Sequence, residues 1–342
     1  MSHSDNLISN GHGALVFAGS KHSLRKARKE WLGPLVALAV VIVILSVLRP
    51  STFLTWENFR AITDQASIPL ILAMGASFVI LMGCIDLSIE GVMATAALVF
   101  VLLSANSVNN VNLGIGAPLI ALLAGTLMGL LTGVIHTVFR VPSFMVSLGT
   151  WFIGLGIATV LFGDSVPQLS GDLTRSWASA SPLGVSNAFV VAVVFMIVAK
   201  FISDNTSMGR FAYAIGADEN IASLNAVSVN RYKVYVFALA GFCSALAGVI
   251  GCSRLGVGVV DLGSGQLFQT IAAVVIGGTL LSGGRGGVIN SICGVLLVVV
   301  INNGLILMGV SPVFQRAVSG LVIVVAVVAT AFNQRSRLRI VK

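Results

Sequence analysis

Charge is what this 342-residue chain has least of, since only 9% of its residues are Asp, Glu, Lys or Arg. Soluble domains carry about 25%. That scarcity, with 56% hydrophobic residues and a mean hydropathy of +1.00, excludes a water-exposed globule and gives a polytopic membrane protein. Cysteine is scarce too. Cys84, Cys243, Cys252 and Cys293 lie in or at the ends of apolar runs, without metal-ligand spacing, and read as small packing residues. No metal site is expected. Three of the four histidines fall in a polar head, and His136 stands alone near the end of an apolar run as a structural residue. No serine sits in G-x-S-x-G, no H-E-x-x-H occurs, and no carboxylates cluster with a histidine, so an embedded enzyme has no constellation to work with.

Nucleotide chemistry is missing as well. The run Gly283-Gly284-Arg285-Gly286-Gly287 lacks the lysine and the preceding strand of a phosphate loop, and reads as a tight turn carrying an arginine. ATP-derived energy would have to come from another polypeptide. The net charge of +8 does not signal nucleic acid, because the basic residues gather in the head (Lys21, Arg25, Lys26, Arg28, Lys29) and the tail (Arg335, Arg337, Arg339, Lys342). Both clusters flank apolar runs, and the positive-inside rule puts both in the cytoplasm. The first run has no small-residue cleavage site and is expected to be a retained anchor.

What is present is a series of apolar runs. A crossing helix needs about 20 residues, and the runs are Trp31–Leu48, Ala66–Met82, Leu87–Ser104, Leu113–Phe139, Ser143–Phe162, Ser186–Ile202, Val234–Cys252, Leu267–Leu281, Gly287–Met308 and Val313–Phe332. The expected fold is therefore an all-α bundle of about ten transmembrane helices. Residues 1–30 form a cytoplasmic head, 31–332 the membrane part and 333–342 a basic cytoplasmic tail. An even number of crossings returns the tail to the side of the head, and it puts the Gly163–Val185 connection outside. Gly125, Gly129 and Gly133 form a double G-x-x-x-G, and Ala240, Ser244 and Gly248 repeat the spacing, which predicts close helix packing. Ile85-Asp86-Leu87-Ser88 and Val260-Asp261-Leu262-Gly263 each precede an Ala/Val-rich run, five crossings apart. This echo fits an inverted repeat of crossings two to five with seven to ten, with chance likeness as its rival.

The polar stretch from Ser203 to Lys233 lies between two apolar runs and holds Asp204, Arg210, Asp218, Glu219, Arg231 and Lys233. Gly209 and Gly216 read as turns. Asp218 and Glu219 fall in the first turn of a short helix, where negative charge suits the dipole, and Ile221 and Leu224 share a face three residues apart. It is either a handle for a cytoplasmic partner or a solvated linker. Charged groups at membrane depth are functional candidates, and here they are Asp86, Glu90, Asp261 and Arg285. Asp86, beside Ser88, is either a helix N-cap or part of a transport path. Ser147, Thr150, Asn302, Asn303 and Gln315 are polar residues in apolar runs. They suit a hydrated path for a neutral polyhydroxylated solute, or hydrogen bonds between helices.

Several stretches resemble the permease subunits of bacterial sugar ABC importers of the ribose type. They are GCIDLSIEGVMA (Gly83–Ala94), VPSFMVSLGT (Val141–Thr150), GRFAYAIGADENIA (Gly209–Ala222), IAAVVIGGTLLSGGRGG (Ile271–Gly287) and INNGLILMGVSPVFQ (Ile301–Gln315). The resemblance implies an inner-membrane core of two permeases, this chain with a second copy or a sister. It also implies a cytoplasmic ATPase that carries the ATP and Mg, and a periplasmic sugar-binding protein. Gly209, Arg210, Gly216, Ala217, Asp218, Glu219, Asn220, Ile221 and Leu224 would then belong to the coupling segment, with Ala217–Leu224 as the coupling helix proper. Departures are Glu90 in place of a glycine, Leu267 and Gln269 in place of acidic residues, Asp218 in place of an asparagine, and Asn225-Ala226-Val227 in place of Ser-Gly-Ile. These leave the solute open: a sugar, or another small polar solute such as a branched-chain amino acid or a signalling sugar. An ion-coupled secondary transporter is the reading from a different class, and it would have to use Asp86 and Glu90.

Overall fold

The computed structural model describes residues 31–171, 176–181, 184–311, 314, 317, 320 and 321. The head (1–30), the tail (333–342), Gln315 and most of the Val313–Phe332 run lie outside them. The described residues form helices only, joined at one end by two isolated antiparallel bridges, Asn106 with Leu169 and Gln168 with Val257. In chain order the helices are α1 (Leu32–Leu48), α2 (Pro50–Phe53), α3 (Trp56–Leu81), α4 (Ile89–Leu103), α5 (Gly116–Val138) and α6 (Ser143–Phe162). There follow α7 (Asn187–Asn205), α8 (Ser207–Ala217), α9 (Glu219–Leu224), α10 (Val229–Leu255), α11 (Gln266–Ile276) and α12 (Val288–Leu307).

Six of these, α3, α5, α6, α7, α10 and α12, are long and apolar enough to cross a membrane, so the chain is a multi-pass helical bundle. The expectation of about ten full crossings needs correction among the described residues. α1, α4 and α11 have 17, 15 and 11 residues. At 1.5 Å per residue α11 is about 16 Å long, roughly half the hydrocarbon thickness. It stops because Gly277 and Gly278 follow, the latter at φ +98, where a left-handed turn breaks the helix. α4 starts level with the middle of α6, since a Cβ on Gly91 would lie 2.9 Å from the Trp151 Cα. The starts of α4 and α11 also meet, a Cβ on Gly263 lying 3.0 Å from the Glu90 Cα.

α3 is the axis of the bundle. Its 26 residues, about 39 Å, are buried almost without interruption from Ala66 to Leu81. It starts ten residues before the apolar run, because the Thr55 hydroxyl accepts from Asn58 N at 3.2 Å and Glu57 occupies the first turn. α10 crosses it at Gly75, where a Cβ would stand 2.9 Å from the Ala240 Cα. The two small-residue rows meet different neighbours. Gly129 and Gly133 lie against Gly241 and Val234 of α10, whereas Gly248 on the other row lies against Met93 of α4. α5, α6 and α7 turn large apolar side chains outward, among them Leu123, Phe152 and Phe201. All four cysteines are buried and unpaired in disulfides.

Candidate functional site

The expected coupling segment is two short helices rather than one. α8 ends at Ala217, and Asp218, in extended backbone, caps α9 by accepting from Ile221 N at 3.0 Å. Asp218 is thus the N-cap and not a first-turn residue, and Ala217 closes the helix before. The reason is chemical: a short carboxylate competes for the free N–H groups at a helix start, and does so best from outside the first turn. Glu219 does occupy the first turn, and both its oxygens accept from the Lys233 Nζ at 2.8 Å, tying α9 to α10. Asn220, Ile221 and Leu224 are exposed, the last two at 59% and 85%. Two large apolar side chains are therefore left uncovered on a six-residue helix.

Gly209 and Gly216 are not turns. Both lie inside α8, and their missing Cβ atoms permit backbone contact: Gly209 with Ser203, and Gly216 with the Leu81 carbonyl and the Gly284 N–H. The turn Gly283–Gly287 is brought to the same place. Gly284 N donates to the Leu81 carbonyl at 2.9 Å, and the Tyr213 hydroxyl donates to the Gly286 carbonyl at 3.0 Å. A Cβ on Gly283 would sit 2.7 Å from Gly83 N and 2.9 Å from the Gly216 Cα. Gly83 and Gly283 adopt φ +73 and +82, a region other residues enter at a cost. The end of α3, the end of α8 and this turn therefore form one joint of glycine backbone. Arg210 and Arg285 flank it without an ion pair among the described residues.

Immediately after Gly83 the chain is non-helical through Leu87 and Ser88, before α4. The backbone N–H groups freed by this break are met by α6: Ile85 N donates to Ser143 Oγ at 3.0 Å and Leu87 N to Ser147 Oγ at 2.9 Å. Asp86 is 5% exposed, and its Oδ1 accepts from Ser88 N and Ser88 Oγ at 2.8 and 2.6 Å. Its Oδ2 has no partner among the described residues, and Asp86 borders a void of about 10 Å³ with Ala76, Val79, Ile80, Ile85, Ile271 and Leu281. Glu90 is more fully engaged. Its Oε1 accepts from Gly265 N at 3.0 Å and Leu267 N at 3.2 Å, closing the N-terminus of α11 from a neighbouring helix.

The other polar residues are dispersed. Thr150 Oγ1 meets Thr132 Oγ1 at 2.7 Å between α5 and α6. Asn303 donates to Asn58 Oδ1 at 2.9 Å between α12 and α3, beside Asn302. Asp86, Ser88 and Ser147 thus come together, while Thr150, Asn302 and Asn303 do not join them. Sequence reasoning missed Asp64 and Arg254, which pair through Oδ2 and Nη2 at the far end of α3, with Arg254 Nη1 also donating to the Asp64 carbonyl at 3.0 Å. Asp64 lies just before the Ala66 apolar run and Arg254 just after Cys252, and two opposite charges flanking long apolar runs were the available signal.

Comparison with known proteins gives a consistent picture. Residues 58–327 match the family model described as a branched-chain amino acid transport system permease component. The ribose import permease protein of Haemophilus influenzae is 37% identical over 300 residues, 86% of this chain and 91% of that protein. That of Escherichia coli K12 is 34% identical over 307 residues, 87% and 94% of the two chains. The D-allose transport system permease protein of the same organism is 31% identical over 296 residues, 86% and 90%. No solved structure matches the chain.

Proposed function

The chain belongs to this family of transport-system permease components, and from that premise we propose that it is the membrane subunit of a bacterial inner-membrane ABC importer for a monosaccharide. A separate cytoplasmic ATPase powers it, a periplasmic binding protein delivers the sugar, and two permeases, identical or sister, form the conduit within the lipid. The ribose and allose relatives support a sugar. The description of the family model supports a second reading, a branched-chain amino acid, and competition by leucine separates the two. Ion coupling loses ground because the Glu90 carboxylate is spent on α11.

The observation that carries the reading is the α8–α9 segment. It presents Ile221 and Leu224 to a partner, and it is tied rigidly to the end of α3 by Gly216 and to α10 by Glu219–Lys233. Movement imposed on α9 is passed through the glycine joint to the Gly83–Ser88 break, so rocking of the bundle opens it to one side or the other. In this reading both termini are cytoplasmic, where the positive-inside rule puts their basic residues. In that arrangement α8 and α9 face the cytoplasm. The test is Ile221→Asp with Leu224→Asp in the assembled importer. Uptake and co-purification of the ATPase should fall at least tenfold at unchanged membrane insertion, and wild-type uptake by this variant refutes the assignment.

A further inference from the structure

Cys84 lies just past the end of α3, and His136 lies in the last turn of α5. Their side chains meet, with Cys84 Sγ 3.7 Å from His136 Nε2. His136 is the one histidine among the described residues, and the other three cysteines lie inside α10 and α12. We propose that Cys84 and His136 form a two-residue site for one soft, low-coordinate cation of the copper(I) class. The inference goes beyond the importer reading and does not depend on it.

The pair is arranged before any ion arrives. A carbonyl can only accept, so the 2.6 Å contact between His136 Nδ1 and the Val141 carbonyl puts a proton on Nδ1. In the neutral imidazole the Nε2 lone pair is then the one turned to the Cys84 sulfur. A backbone carbonyl on the far ring nitrogen is the usual support of a metal-binding imidazole. The ring also lies 5.9 Å from that of Phe237, which is buried. On the other side Ile85 N donates to Ser143 Oγ at 3.0 Å, which fixes the backbone next to Cys84. His136 is only half-buried, and this leaves an approach past the ring.

Geometry and ligand count decide the ion. A cation bound to sulfur at about 2.3 Å and to nitrogen at about 2.0 Å holds the two about 3.7 Å apart at a trigonal angle of about 120°, against about 4.3 Å in a line. The observed 3.7 Å therefore admits a trigonal ion with neither helix displaced. Thiolate and imidazole together select soft or borderline ions, copper(I) and zinc among them. Zinc takes four protein ligands in a closed site and three in an open one. Among the described residues no group of three or more His, Cys, Asp or Glu side chains could hold a metal ion, so zinc is left short of ligands. Copper(I) is satisfied by the pair and a water. On binding, the thiol proton passes to water, sulfur and Nε2 each give a lone pair to the ion, and nothing is oxidised or reduced. The occupied site ties the Gly83–Ser88 break to the end of α5.

The experiment is a silver(I) titration of the full chain in nanodiscs, silver being an air-stable ion of the same charge and softness. X-ray absorption at the silver edge reads the bound atoms. The chain carries Cys243→Ala, Cys252→Ala and Cys293→Ala, so Cys84 is the one thiol left. The expected result is one silver ion per chain with both sulfur and nitrogen around it. Cys84→Ser and His136→Gln should each lower the affinity at least about tenfold. No binding, unchanged affinity in either variant, or a shell of sulfur alone overturns the proposal. So does zinc(II) bound as tightly as silver(I). Should the stripped chain fail to fold, the same spectrum is recorded on wild type at one silver ion per chain. Nitrogen that His136→Gln removes supports the site. Nitrogen that persists in His136→Gln overturns it, because the head carries three histidines of its own.

Discussion

The two ends of α3 are built on opposite principles. At Leu81 the contacts are backbone on backbone, with Gly216, Gly283 and Gly284 approaching so closely that a methyl group at any of them would collide. At Trp56 the contacts are made by long side chains, Arg60 on Gly184 and Asp64 on Arg254. A glycine contact has no rotamers to yield, so displacement of one partner is passed to the other. Ion pairs and aromatic faces rearrange at small cost. In the proposed importer this difference makes the glycine end the one that transmits movement and the side-chain end the one that yields.

Three single variants and one double variant test this contrast. Gly216→Val drives a branched side chain into the Leu81 carbonyl and the Gly284 N–H. It should cost about 3 kcal/mol and abolish uptake, read as a large fall in the thermal midpoint of the purified chain. A variant of wild-type stability would mean the joint is loose. Asp64→Ala, at the other end, unpairs an arginine whose side chain is 25% exposed. Partial solvation limits the loss to about 1 kcal/mol, and the double variant with Arg254→Ala should recover part of it. A loss as large as that at Gly216 would erase the contrast. The smallest effect is a gain. Ala226 holds φ +58 just after α9. Ala226→Gly relieves left-handed strain, offset by a more flexible unfolded chain, for roughly 0.5 kcal/mol of net stabilisation. The midpoint should rise slightly, and a fall would show the strain to be absent.

How far the sequence revealed this depends on what each signal measures. α6 is recovered to the residue, because Pro142 and Gly163 bracket its apolar run. α3 was shortened by ten residues because hydropathy follows lipid contact, and Glu57, Asn58, Arg60 and Asp64 are helical yet polar. α11 was drawn too long since the Leu267–Leu281 run stays apolar beyond Gly277, where the helix stops. In the coupling segment Glu219, Ile221 and Leu224 could be placed on a short helix from local rules, whereas Gly216 could not be told from a turn glycine. Its meaning lies in Leu81 and Gly284, far off in the chain. Glu90 stood out as a departure from the family, but its partners Gly265 and Leu267 are 175 and 177 residues away. Spacing reports neighbours along a helix; it is silent about neighbours across a bundle.

The central claim is that the α8–α9 segment receives force from an ATPase and hands it to α3. Leu224, 85% exposed, is the place to test it. In a chain carrying Leu224→Cys and no other accessible thiol, a short bifunctional cross-linker applied to the assembled importer should join residue 224 to the ATPase. In the same chain, residue 224 should resist a membrane-impermeant maleimide added outside intact cells. Labelling from outside, or a fully assembled importer in which residue 224 cross-links to nothing, would contradict the account.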